Sequence, residues 1–246
     1  MVASPFDPGA IAVVSFDLDG TLLDSRSAWR EGFRDPFAFL IERYPTLAAL
    51  GEPGDVHDFV YQRYLDEAWR AAGAGEWSVD YVRRGWRDIL ARHAVRDDAA
   101  ADAAFERYEA SWPPLMRLFE DAVATLEAVH ARFPMVLLTN GNTSYQRMKI
   151  EMHDLAPWFA HIVVSEEVGI MKPDPAIFAR AIAPFGVAPD RVIHIGDTPS
   201  QDVAGAHAAG WRSAWVNRDG RDYEGERSPD LEVPSLQAFR EELGLR

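Results

Sequence analysis

Asp17 and Asp19 stand two residues apart, behind the apolar run Ile11-Ala-Val-Val-Ser-Phe16 and ahead of Gly20-Thr21. Carboxylates this close repel one another, so something must offset their charge. A divalent cation suits, because hard cations take carboxylate and carbonyl oxygens. A plain solvated Asp-Gly turn would read the same. A calcium loop of the EF-hand kind would not, since its glycine falls at the sixth place and Gly20 is fourth counting from Asp17.

Three further polar clusters follow apolar runs. Thr139-Asn140-Gly141 comes after Met135–Leu138, Lys172-Pro173 comes a short loop after Val163–Ile170, and Gly196-Asp197-Thr198-Pro-Ser-Gln-Asp202 comes after Val192–Ile195. Singly, each is an ordinary cap, loop or turn. Short apolar runs ended by turn signals read as buried strands of a parallel sheet. Ligands of an open α/β sheet bind beyond the carboxyl ends of its strands. All four clusters therefore fall on one edge of one sheet, and it is their joint occurrence there that points to a site.

The elements that would hold these residues divide the chain. From Ser25 to Trp112 no strand-like run occurs, only helical periodicity: Asp55–Trp69, with Phe59, Val60, Tyr64 and Leu65 near one face, then Val79–Leu90 and Asp98–Trp112. Gly51-Glu-Pro-Gly54 and Ala72-Gly-Ala-Gly75 supply breaks. Trp29, Trp69, Trp77, Trp86 and Trp112 fall in this stretch and are expected to form its own aromatic core. Trp112-Pro113-Pro114 ends it, since proline does not fit a helix interior. The expected organisation is a helical insertion at 25–112 between two parts of a sheet domain, 1–24 and 113–246.

Beyond Phe119 helices and strands alternate. Helix Glu120–Arg132 precedes strand Met135–Thr139, and helix Thr143–Met152 opens on a capping box of Thr143 with Gln146. Strand His161–Ser165 follows, then a helix capped by Asp174 with Pro175 in its first position. Strand Val192–Gly196 leads into a helix capped by Thr198 with Gln201 as box partner. Strand Arg212–Val216, a short edge strand at Asp230–Val233 and a final helix complete the chain. Such alternation predicts an α/β fold with a doubly wound, Rossmann-like parallel sheet.

The bulk composition narrows the function. The 246 residues carry a net charge of −14, which makes nucleic acid and anionic membranes poor partners. Cysteine is absent, so disulfides, thiolate nucleophiles and cysteine-ligated zinc are excluded. No basic leader and no run of about 20 apolar residues is seen, and a soluble cytoplasmic protein is expected. Neither a Gly-x-Gly-x-x-Gly nor a Walker-type phosphate loop occurs. His57, His93, His130, His153, His161, His194 and His207 are scattered, with no pair at the i, i+4 spacing of a helical zinc site, and read as structural.

Asp-Leu-Asp-Gly-Thr21, Leu-Thr-Asn-Gly141, Met-Lys-Pro-Asp-Pro175 and Gly-Asp-Thr-Pro-Ser-Gln-Asp202, in this order, resemble the haloacid dehalogenase-like (HAD) hydrolases. The helical insertion between the first two matches their subfamily I, which carries a C1-type cap. The resemblance implies that Asp17 is a nucleophile forming an aspartyl-phosphate, that Asp19 is the general acid and base, and that the cofactor is Mg²⁺. It implies a metal held by the Asp17 and Asp197 carboxylates and the Asp19 backbone carbonyl. Thr139 and Asn140 would receive the phosphoryl group, Lys172 would neutralise charge, and Asp202 would orient Lys172 or a metal-bound water or simply start a helix. The substrate would be a small phosphorylated metabolite or nucleotide.

Only two lysines, Lys149 and Lys172, occur among the 25 basic residues. A compact ammonium at Lys172 suits a point contact that arginine's wide fork would not. Lys149, in mid-helix, reads as a solvated surface residue. Within the resemblance, dehalogenases lack the second carboxylate that is Asp19 here. Phosphonate-cleaving members need a cap lysine, which 24–115 lack, and β-phosphoglucomutase-like members place a histidine where Trp29 stands. Phosphomonoester hydrolysis is the expectation, with a phosphomutase or a dehalogenase as the alternatives. Arg83-Arg84-Gly85-Trp86-Arg87 could meet an anionic or aromatic leaving group, or form an ordinary solvated helix face.

Overall fold

Every residue of Val13–Phe16 is buried, so both faces of this strand, β1, are covered. That is the environment a continuous apolar run requires. The computed structural model describes residues 6–73 and 80–245. Five more strands join β1: β2 (Met135–Thr139), β3 (His161–Val164), β4 (Val192–Gly196), β5 (Arg212–Val216) and β6 (Leu231–Val233). They form one sheet in the order β3-β2-β1-β4-β5-β6, each neighbouring pair parallel. The expected α/β doubly wound sheet is present, with β1 and β4 flanking the point where the strand order reverses.

Alternation along the strands decides what each face holds. Val14, Phe16, Met135, Leu137, Ile193 and Ile195 pack with Leu126 and Val129 of helix Ala122–His130 and with Leu236 and Phe239 of helix Leu236–Glu242. Val13, Val136, Leu138 and Val192 pack on the other face with Ile177, Phe178 and Ala181 of helix Pro175–Ile182. Polar residues interrupt the runs, among them Ser15 in β1 and His194 in β4. These two are register partners, and both are fully buried.

The chain divides into two compact units, Met1–Asp24 with Leu118–Arg246, and Ser25–Arg117. The helical unit thus extends to Arg117, past the expected limit at Trp112, because the turn Pro113–Leu115 packs on helix Asp98–Ser111. Within the sheet unit the outgoing and returning segments lie side by side, with Phe119 N–H donating to the Leu22 carbonyl at 2.9 Å.

The helical unit contains Ser25–Glu31, Arg34–Arg43, Pro53–Gly73, Asp80–Arg92 and Asp98–Ser111. Its core is aromatic, with Trp86 and Trp112 buried as expected and Trp29 half-buried. Phe33 contacts Trp86 at 4.9 Å, Tyr108 at 4.9 Å and His57 at 5.3 Å between ring centroids. Gly85 lets two helices approach closely, because a Cβ there would meet Val60 at 2.7 Å. Val60, Tyr64 and Trp112 are buried, while Phe59 is half-buried beneath Arg92. The break at Gly51 occurs, but the next helix begins at Pro53 and takes in Gly54. Trp77, Val79 and Gly75, and the side chains of Leu65 and Trp69, lie outside the described residues.

Candidate active site

The sheet unit delivers the polar clusters to one edge. Asp17 follows β1, Thr139 closes β2 with Asn140 next, and Asp197 follows β4. Lys172 comes from the loop between helix Ser165–Val168 and helix Pro175–Ile182. Gly196 has the Asp202 side chain where a Cβ would sit, so only glycine admits that carboxylate. Gly20, at φ +77°, likewise leaves room for Asp197, whose Oδ2 would stand 2.5 Å from a Cβ.

Lys172 is 1% exposed and bridges two carboxylates, with Nζ 2.7 Å from Asp17 Oδ1 and 2.6 Å from Asp202 Oδ1. Asn140 locks the backbone beneath it: Oδ1 accepts from Lys172 N–H at 2.8 Å and Nδ2 donates to the Lys172 carbonyl at 2.9 Å. Asp202 also takes the Thr198 N–H on Oδ2 at 2.9 Å and contacts His194 Nε2 at 3.1 Å. His194 Nδ1 meets Ser15 Oγ at 2.9 Å. Burial holds His194 below the usual imidazole range, hence neutral.

The charge in this knot is uneven. Burial works against the ammonium, but Asp17 and Asp202 hold the Lys172 pKa above its ordinary value. Burial would raise Asp202, yet Lys172 and His194 keep it well below the carboxylate range. Asp17 is pushed well above that range by burial, with Asp202 and Asp197 adding to the push and Lys172 opposing it. The ionised form of Asp17 is therefore the one that Lys172 alone does not fully compensate.

Oxygens of Asp17, Asp197 and Asp202 lie within 4.8 Å of one another. All are hard donors, and the ionised form of Asp17, which burial and the two neighbouring carboxylates disfavour, is what a divalent cation would stabilise, so the residues present fit Mg²⁺. Asp202 Oδ1 already receives Lys172 and His194, and Oδ2 receives Thr198, so Asp17 and Asp197 are the carboxylates better able to serve. Asp202 sits in a turn over Pro199–Val203 that opens its helix.

Three expectations from sequence are corrected. Lys149 is not solvated. It is 3% exposed, and its Nζ lies 2.9 and 2.8 Å from the two Asp19 oxygens. Gln146 does not form a capping box with Thr143. Asn142 caps that helix by accepting the Ser144 N–H at 3.0 Å, and Glu166 takes the Thr143 N–H. Gln146 turns inward instead, its Nε2 reaching Thr139 Oγ1 at 2.6 Å and Asp19 Oδ2 at 2.9 Å. The Gln201 side chain likewise forms no capping box with Thr198 and accepts from Asn140 Nδ2 at 2.9 Å. The physical reason is shared: a polar side chain with a complementary partner inside the fold gains more there than in solvent or at a helix end. Asp174 caps its helix as expected, accepting the Ala176 N–H.

The arginines Arg83, Arg84 and Arg87 lie on a helix of the other unit. Arg83 stacks on Phe105 and Arg84 on Tyr64, while Arg87 donates to Asp102 at 3.0 Å. Among the described residues, no helix is long and apolar enough to cross a membrane.

The chain is similar to proteins named as enzymes. Phosphoserine phosphatase of Thermus thermophilus is 36% identical over 197 residues, 79% of this chain and 76% of that protein. The 2-haloacid dehalogenase of Pseudomonas syringae pv. tomato is 31% identical with a TM-score of 0.64, over 95% of this chain and 98% of that one. The HAD-hydrolase YfnB of Bacillus subtilis, whose structure was bound to magnesium, shares the fold with a TM-score of 0.72 at 23% identity, over 95% and 98% of the two chains. The sequence model of the haloacid dehalogenase-like hydrolases matches residues 11–210, and the chain belongs to that family.

Proposed function

We propose that this hydrolase is a Mg²⁺-dependent phosphomonoesterase that acts on a small phosphorylated metabolite or nucleotide through an aspartyl-phosphate on Asp17. The observation that carries this reading is the buried Asp17 carboxylate at the end of β1, fixed through one oxygen by Lys172. A carboxylate so placed can attack phosphorus, form an acyl-phosphate and expel the substrate's oxygen. Asp19 gives that oxygen its proton, then takes one from the water that attacks the acyl-phosphate and frees Asp17. The Thr139 hydroxyl accepts from Gln146, so its own proton points away. At present that proton goes to the Asn140 carbonyl at 3.5 Å, a weak bond readily exchanged for a phosphoryl oxygen. Lys172 offsets negative charge that builds on the transferring group. The Asp17 and Asp197 carboxylates with the Asp19 carbonyl would hold the cation, which when bound screens the nucleophile from an anionic phosphate.

A relative named as a dehalogenase makes haloacid hydrolysis the competing reading. Halide leaves without a proton, so that chemistry has no use for a second carboxylate beside the nucleophile. Asp19 is here held by two side chains, which supports a leaving oxygen. The test is phosphate release from a panel of phosphomonoesters, with Mg²⁺ and with EDTA. Turnover that requires Mg²⁺ and is lost in Asp17→Asn is expected. Release of halide from 2-chloropropionate without phosphate release would overturn the reading.

A further inference from the structure

Both lysines of the chain are buried, and each is bonded to one aspartate of the first cluster: Lys172 to Asp17, Lys149 to Asp19. Lys149 engages both Asp19 oxygens, and its Nζ also meets Gln146 Oε1 at 2.8 Å. Gln146 then spans from Asp19 Oδ2 to Thr139 Oγ1. The two residues are three apart on helix Thr143–Met152, so they share a face. An exposed carboxylate on a turn samples several rotamers, whereas one gripped at both oxygens by a buried ammonium and at one by a buried amide has a single orientation. No structural need for the pair is evident in the helix itself, which Asn142 already caps.

We propose that Lys149 and Gln146 are positioning residues for the acid–base step: together they aim Asp19, and Gln146 ties that aim to the Thr139 hydroxyl that meets the phosphoryl group. The proposal rests on the phosphomonoesterase reading above. Its consequence is selective. Phosphoryl transfer from an alkyl phosphate needs a proton delivered to the departing alkoxide. Transfer from p-nitrophenyl phosphate does not, because the ring spreads the charge of the phenolate. Losing the aim of Asp19 therefore penalises the first substrate and largely spares the second in kcat/KM, which reports the step up to Asp17 phosphorylation.

The experiment compares kcat/KM for β-glycerophosphate and p-nitrophenyl phosphate in the wild type, Lys149→Met, Lys149→Arg and Gln146→Leu. Thermal unfolding of each variant is recorded alongside. Lys149→Met is expected to lose about 100-fold or more on the alkyl phosphate, within the range of one acid–base contribution, and under about 10-fold on the aryl one. Lys149→Arg should recover part of the alkyl loss, and Gln146→Leu should show the same selectivity at smaller size. An equal loss on both substrates, or none, overturns the proposal while leaving the phosphomonoesterase reading intact. Should Lys149→Met fail to fold, Gln146→Leu decides by the same criterion. A wild type that releases phosphate from neither substrate, nor from any other phosphomonoester, overturns the reading and the proposal with it.

Discussion

Ser15 and His194 face each other across β1 and β4, hydroxyl to Nδ1 at 2.9 Å, both fully buried inside the sheet. The neutral imidazole can then give its Nε2 proton to Asp202, which receives Lys172, which holds Asp17. A polar thread thus runs from the middle of the sheet to the nucleophile. Ser15→Ala leaves Nδ1 buried without its partner and is expected to cost about 1–3 kcal/mol in urea unfolding, with kcat lowered by less than tenfold. His194→Phe removes the donor to Asp202 and should lower kcat further. Unchanged kinetics in both variants would cut the thread out of the mechanism.

The His194 thread also has a pH signature. Its folded pKa lies below the unfolded one, about 6.5. The unfolded chain therefore binds a proton before the folded one does, and stability falls as pH drops below that value. Thermal melts of the wild type and His194→Phe between pH 7.5 and 5.5 should show the steeper acid-side decline in the wild type.

Lys172 is the only cation bonded to Asp17 among the described residues, and it is wholly buried. Lys172→Met leaves two buried carboxylates without their counter-charge, at an expected cost of about 3–5 kcal/mol in urea unfolding. Phosphate release should fall by about 10²–10³. Lys172→Arg restores the charge but not the compact fit, and recovers stability better than rate.

Asp230 gives a prediction independent of the site. Burial alone would raise its carboxyl, but His207, the Ser213 N–H and Arg212 hold it well below the usual range. Its contribution is complete above the unfolded value of about 3.9 and is lost as pH falls through the folded one. Asp230→Asn should lose about 1.5–3 kcal/mol at pH 7, and the difference from the wild type should shrink in acid. A difference that grows in acid would contradict the assignment.

Much of the sheet was legible because its strands are short apolar runs ended by glycine, asparagine or aspartate, and because parallel strands share one functional edge. Asp17, Thr139 and Asp197 can be named for that reason, whereas Lys172 comes from a loop between two helices. The roles of Gln146, Lys149 and Gln201 are not legible because local sequence shows what a helix start can use, not what lies across the fold from it. The rarity of lysine and the i, i+3 spacing of Gln146 with Lys149 were the available signals. The link between Ser15 and His194 needs the β1–β4 register, which no single strand contains.

Metal dependence follows from the donor set. Asp197→Asn removes one of the two carboxylates best able to bind, and should weaken Mg²⁺ activation by about 10- to 100-fold in apparent affinity while the protein stays folded. Titration of activity against free Mg²⁺ measures it.

The most direct measurement is acid quenching of the enzyme during turnover of a phosphomonoester, followed by peptide mass mapping. One added phosphoryl group on the peptide that contains Asp17, absent from Asp17→Asn, is the result expected here. Steady turnover with no phosphorylated aspartate, or wild-type rates in Asp17→Asn, would contradict it.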